Sequence, residues 1–201
     1  MKPAPVICMN AFPGVGKFAI ARALQPLLPG SRILHNHELI YPVERSVPST
    51  SPRYAAARAE YRRARLKPIH QDPQLRDAIF IFTNSQMDYN ECVSDYTDLC
   101  LSTTDGGVGR RLYSVILECD EEENCRCLAL AGRGKEGGNG KLTDVGMLME
   151  CRSRGGVHKF EDSDEIALDV TTMAPEEAAR RVKEFVERRE EEGRSGDELE
   201  F

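Results

Sequence analysis

Four apolar residues, Val6-Ile7-Cys8-Met9, lead through Asn10 into Ala-Phe-Pro-Gly-Val-Gly-Lys-Phe, residues 11–18. From Phe18 to Leu28 apolar residues then recur at helical spacing, and the pattern stops before Pro29-Gly30. A short apolar run that ends in a Gly/Pro turn reads as a strand buried in a parallel sheet. The periodic stretch after it reads as a helix. A strand, a glycine loop and a helix in that order commit the start of the chain to an α/β fold.

The loop has a chemistry of its own. Gly14 and Gly16 let the backbone turn its N–H groups inward and approach an anion closely. The helix that follows adds the partial positive charge of its N-terminus. Lys17 stands where it reaches the outer phosphates of a nucleotide. Phe12, Pro13, Gly14, Val15, Gly16, Lys17, Phe18 and Ala19 are therefore the expected nucleotide-binding stretch. One part is missing. Such loops carry Ser or Thr directly after the Lys, or one residue later, and that hydroxyl ligates Mg²⁺. Phe18 and Ala19 have none, so weaker metal positioning is expected, with no dedicated metal ligands.

Further along, strand patterns fall at Ser31 to Leu34, Ala78 to Phe82, Leu112 to Leu117 and Ile166 to Val170. Helical patterns fall at Ser51-Pro52 to Leu66, Asn90 to Ser102, Glu121 to Ala131, Leu142 to Cys151 and Pro175 to Arg189. Pro42 to Ser51 reads as a loop. Gly132 to Gly140 holds five glycines and reads as a flexible segment. Five alternations of strand and helix predict a three-layer α/β fold with about five parallel strands and helices on both faces. In such a sheet ligands bind at the carboxyl ends of the strands. The expected organisation is one domain over residues 1–190, with an acidic, disordered tail over 191–201.

The chain has 201 residues and a net charge of −6, which argues against a general nucleic-acid binder. No apolar run is long enough to span a bilayer, and the first residues do not read as a signal peptide. Seven cysteines at irregular spacings lack a zinc-knuckle pattern and read as reduced thiols of a cytoplasmic protein.

Taken together, FPGVGKFAIAR, HNHELIYP after strand two, IFTN after strand three, LECDEEENCRCLALAGRGK, GKLTD and LDVTTMAPEEAARRV resemble the small P-loop kinase-like proteins, of the chloramphenicol phosphotransferase-like and AAA-type P-loop kinase kinds. The resemblance spans about Val6 to Val186. It implies a kinase-like sheet of five parallel strands and a lid at about 126–160. It also implies ATP as nucleotide, with Mg²⁺ held mainly by phosphates and water, and phosphoryl transfer to a small molecule. Lys17, with Arg126 and Arg133 as lid arginines, would stabilise the transferred group.

Asn36 and His37 follow strand two, where such kinases meet their acceptor. Relatives carry Asp near this point, where this chain has His35 and Tyr41. His37 is either a base or a residue that shapes the loop. Strand three ends in Thr83-Asn84, without the usual acid. A nucleotide-binding pseudoenzyme with a regulatory or scaffold role is therefore the alternative reading. The stretch Arg53 to Lys67 is strongly basic and suits either an anionic acceptor, with Arg58 as the contact, or a solvated surface.

Overall fold

The computed structural model describes residues 3–88, 93–101, 109–129, 144–160 and 164–197. Five strands form one parallel sheet: β1 (Val6–Asn10), β2 (Arg32–His35), β3 (Phe80–Asn84), β4 (Leu112–Glu118) and β5 (Asp164–Asp169). Their order is β2-β3-β1-β4-β5. β1 therefore sits at the centre, with Val6 opposite Phe80 on one side and Leu112 on the other. All five residues of β1 and of β3 are buried, which is why both read as unbroken apolar runs.

Because successive strand residues point to opposite faces, the sheet has two cores. On one face Ile7, Met9, Ile81 and Leu117 pack with Ile20, Ala21 and Leu24 of α1 (Lys17–Leu24). The last helix, covering Pro175–Asp197, adds Ala178, Val182 and Phe185 to that core. On the other face Val6, Cys8, Phe80 and Phe82 meet Leu66, Ile69, Tyr96 and Phe160. At the amino ends of the strands Arg110, 2% exposed, donates to the carbonyls of Ala4 (2.6 Å), Ala78 (3.0 Å), Leu75 (2.5 Å) and Ile69 (3.2 Å). A guanidinium matched to several carbonyls is how a buried cation is tolerated.

Several boundaries differ from the expectations. Within Pro42 to Ser51, expected as loop, a short helix α2 (Tyr41–Glu44) forms with Pro42 in its first turn, where a missing N–H costs nothing. The helix expected from Ser51-Pro52 to Leu66 is α3 (Tyr54–Gln71). The Ser51 hydroxyl accepts from the N–H of Arg53 and caps a preceding turn, which delays the start. The far end passes through Pro68 and carries Leu66 and Ile69 into the core, so packing outweighs the proline penalty.

Next come α4 (Val93–Leu101), α5 (Glu121–Ala129) and α6 (Val145–Arg154). The start of α6 is fixed by Asp144, whose carboxylate accepts from the N–H of Met147 at 3.2 Å. The basic stretch is partly neutralised here, because Arg62 and Arg63 both pair with nearly buried Asp95 of α4. The last helix, α7 (Pro175–Asp197), runs through residues 191–197 of the expected tail. Ion pairs Arg181–Glu177, Lys183–Glu187 and Arg189–Glu192 support that extension. Of the expected lid, the end of α5, α6 and residues 155–160 are described, while 130–143, Arg133 among them, lie outside the described residues.

Candidate functional site

The glycine loop leaves the carboxyl end of central β1 and closes on the first turn of α1. Gly14 and Gly16 have φ of 106° and 98°, values open to glycine and strained for any side chain. Gly14 is required a second time, since a Cβ there would lie 2.4 Å from Nδ2 of Asn124. Lys17 folds back over the loop. Its Nζ donates to the carbonyls of Ala11 (3.0 Å) and Phe12 (2.8 Å), which sets the ammonium among the loop atoms themselves.

Asn124 of α5 is the tie behind the loop. It is 0% exposed, and its Nδ2 donates to the Pro13 carbonyl at 2.9 Å. Its Oδ1 accepts from Nη1 of Arg152 at 3.1 Å. The Arg152 guanidinium lies 4.7 Å from the Phe12 ring centroid, a cation–π stack, and 3.5 Å from Glu121. Arg152 is thus the arginine brought to the loop. Sequence reasoning missed it because several arginines flank the glycine-rich segment and no spacing selects one. Arg126 is engaged elsewhere on α5. Its Nε and Nη2 donate to Glu123 at 2.7 and 2.6 Å, and its side chain is 63% exposed. That pairing, with a further contact from Cys127, holds the Glu123 carboxyl down at about 2.

Beside the loop stands a file of rings. Phe18 meets His35 edge-on at 4.6 Å. His35 stacks on His37 at 4.8 Å, and His37 stacks on Tyr41 at 4.8 Å. His35 also caps the turn that follows β2: its Nδ1 accepts from the N–H of His37, and Glu38 accepts from the N–H of His35. Asn36 begins that turn, and α3 packs against it. Arg58 of α3 lies over the Tyr54 ring at 5.7 Å, and the Tyr54 hydroxyl donates to Glu44 at 2.9 Å.

The end of β3 is neutral. Asn84 turns inward and donates to the Cys8 sulfur at 3.2 Å, and burial pushes the Cys8 thiol up to about 12. Thr83 is 2% exposed, and its hydroxyl has no hydrogen-bond partner among the described residues.

A cleft of about 580 Å³ opens next to the loop, lined by Phe12, Asp88, Arg152, residues 116–119 at the end of β4 and residues 156–159. Its far wall is made by two loop segments that pair through an antiparallel bridge, Met87 with Val157. Asn10 braces both from the end of β1. Its Nδ2 donates to the carbonyls of Gln86 (2.8 Å) and His158 (3.0 Å), and its Oδ1 accepts from the N–H of Gln86 (2.7 Å). Arg152 and Lys159 bring positive charge to the lining, and Asp88 and Glu118 bring negative charge. Among the described residues no cluster of three or more His, Cys, Asp or Glu side chains could hold a metal ion.

No protein-family model and no curated protein sequence matches the chain. Solved structures do. A sugar kinase from a Janibacter species superposes with a TM-score of 0.61 at 15% identity, covering 92% of this chain and 95% of that one. Thymidylate kinase from Candida albicans gives a TM-score of 0.60 at 15% identity, covering 94% and 93%. The APS kinase of Mycobacterium tuberculosis, solved with AMPPNP and APS, gives 0.56 at 14%, covering 93% and 99%. The chain has the P-loop kinase fold, with five parallel strands and helices around them.

Proposed function

We propose that this chain binds a nucleoside triphosphate, ATP, in the loop from Phe12 to Ala19 and transfers its terminal phosphoryl group to a small molecule held beside the loop. The observation that carries this reading is the loop itself. Two left-handed glycines precede a lysine whose ammonium is folded over the loop backbone at the mouth of α1. Kinases among the solved structures with this fold support it, APS kinase with AMPPNP in particular.

In the reaction an acceptor oxygen forms a bond to the γ-phosphorus, the bond from that phosphorus to the β–γ bridging oxygen breaks, and ADP leaves. The protein's part is positioning and charge compensation. Lys17 takes the outer phosphates, and Arg152, rather than the paired Arg126, is the guanidinium we place beside the transferred group. Arg133 keeps its proposed role as a lid arginine. Asn36, His37 and Arg58 are the proposed acceptor-side residues, with the buried hydroxyls of Tyr41 and Thr83 as open hydrogen-bonding partners. His37, stacked on both sides, shapes this wall or takes the acceptor's proton.

Magnesium fits these residues poorly. Phe18 and Ala19 offer no oxygen, and Asn84 is turned to Cys8. Any divalent ion would be held by phosphate oxygens and water.

The alternative, a nucleotide-binding regulatory protein without turnover, is favoured by that same donor set. Calorimetric titration with ATP tests the shared claim. Binding by the wild type and none by Lys17→Ala supports it, and equal affinity for the two proteins refutes it. ADP release in the presence of candidate acceptors separates transfer from regulation.

A further inference from the structure

The ring file beside the loop does more than lack a metal ligand. Phe18 occupies the first position after Lys17 and is fixed edge-on against His35. Through His35 and His37 the contact continues to Tyr41, four rings in series. This wall of rings runs from the start of α1 to the start of α2, and it carries two imidazoles and no carboxylate.

The two carboxylates of the adjoining turn and helix are already committed. Glu38 accepts the N–H of His35 at 3.0 Å, and Glu44 accepts the Tyr54 hydroxyl at 2.9 Å. The end of β3 adds one neutral hydroxyl, Thr83, which can donate to a phosphate oxygen or to water. At 2% exposure it is buried in the sheet rather than presented to a strongly hydrated divalent ion. Asp88 on the cleft wall faces His158 at 3.7 Å. Against this stand two cations at the loop, Lys17 and Arg152, together with the N-terminal end of α1.

Resting on the reading that the loop binds ATP, we infer that it takes the nucleotide without a protein-ligated metal, so that magnesium weakens ATP binding or tightens it by less than about fivefold. The reasoning is electrostatic. Magnesium removes two charges from the nucleotide, so a site made of cations and N–H dipoles is attracted less to the complex. Ordinarily a loop hydroxyl and a strand-end carboxylate recover that loss by ligating or orienting the metal. Here the first is replaced by a packed ring and the second by Thr83-Asn84, so neither of these groups recovers it.

The test is titration of the wild-type protein with ATP in EDTA and again in excess MgCl₂. The expected result is binding in both, with magnesium tightening it by less than about fivefold, a difference of under about 1 kcal/mol, or weakening it. Tightening by about fivefold or more, or binding only with magnesium, overturns the inference while leaving nucleotide binding intact. It would point to Glu118 or Asp88 as metal ligands. No binding in either condition overturns both the inference and the reading on which it rests.

Discussion

Replacing Asn124 with Leu probes whether the loop and Arg152 are held as one unit. The substitution keeps the size of a fully buried side chain and deletes two hydrogen bonds, one to the Pro13 carbonyl and one from Arg152. Leaving the part-buried Pro13 carbonyl without its partner costs about 1–2 kcal/mol, the lost hydrogen bond included. The bond from charged Arg152 is worth about 1.5 kcal/mol, the low end for charged groups. That end applies because the side chain is 21% exposed and keeps Glu121 at 3.5 Å.

The losses come to about 3 kcal/mol, and the added apolar burial of Leu returns about 1 kcal/mol, leaving a net cost of about 2 kcal/mol. In urea, with a slope of about 2 kcal/mol per molar, the midpoint falls by about 1 M. ATP affinity falls as well, since Pro13 and Arg152 lose their common anchor. A midpoint lowered by less than about 0.25 M would refute the reasoning, because Pro13 and Arg152 would then hold their places without Asn124. Asn124→Asp separates the two bonds. It keeps an oxygen for Arg152 and sets a carboxylate oxygen against the Pro13 carbonyl, so it loosens the loop while Arg152 stays.

Gly14→Ala forces a left-handed φ of 106° on alanine and drives its Cβ to within 2.4 Å of Asn124. It lowers stability by about 2 kcal/mol or more and abolishes ATP binding, read by urea unfolding and titration, and a variant of wild-type stability and affinity would contradict the loop geometry. The Cys8 thiol, raised from 9.0 to about 12 by burial, sets an alkaline limit. Between those values the unfolded chain has released this proton and the folded chain retains it, so stability falls as pH rises from 9.0 towards about 12. The fall is shallower in Cys8→Ala, and an equal slope in the two proteins would rule Cys8 out as its source.

The central strands were legible because burial on both faces leaves β1 and β3 almost wholly apolar. Asn10 was visible only as a polar residue ending its run, and Thr83-Asn84 as a strand end without the usual acid. The loop was legible because an anion site made of backbone N–H groups demands glycines at fixed places. The ends of the helices were not. α3 passes Pro68 because Ile69 is wanted in the core, and α7 passes Arg189 on ion pairs along its surface. Arg152 escaped notice because its place depends on Asn124, 28 residues earlier in the chain, and on the ring of Phe12. The cleft wall escaped it because residues 86–88 and 156–159 pair through a single bridge, which leaves no period to read.

The bracing by Asn10 has a consequence for how the protein is made. Its amide answers to partners 76 and 148 positions further along the chain. Closing loops of that length costs entropy before any contact rewards it, and such remote pairings form late. During synthesis Asn10 emerges 76 residues ahead of Gln86 and 148 ahead of His158, so its buried amide is fully paired only after His158 has followed. The nascent chain must keep its central strand waiting for partners not yet translated. The cleft wall can close only when residue 158 has left the ribosome.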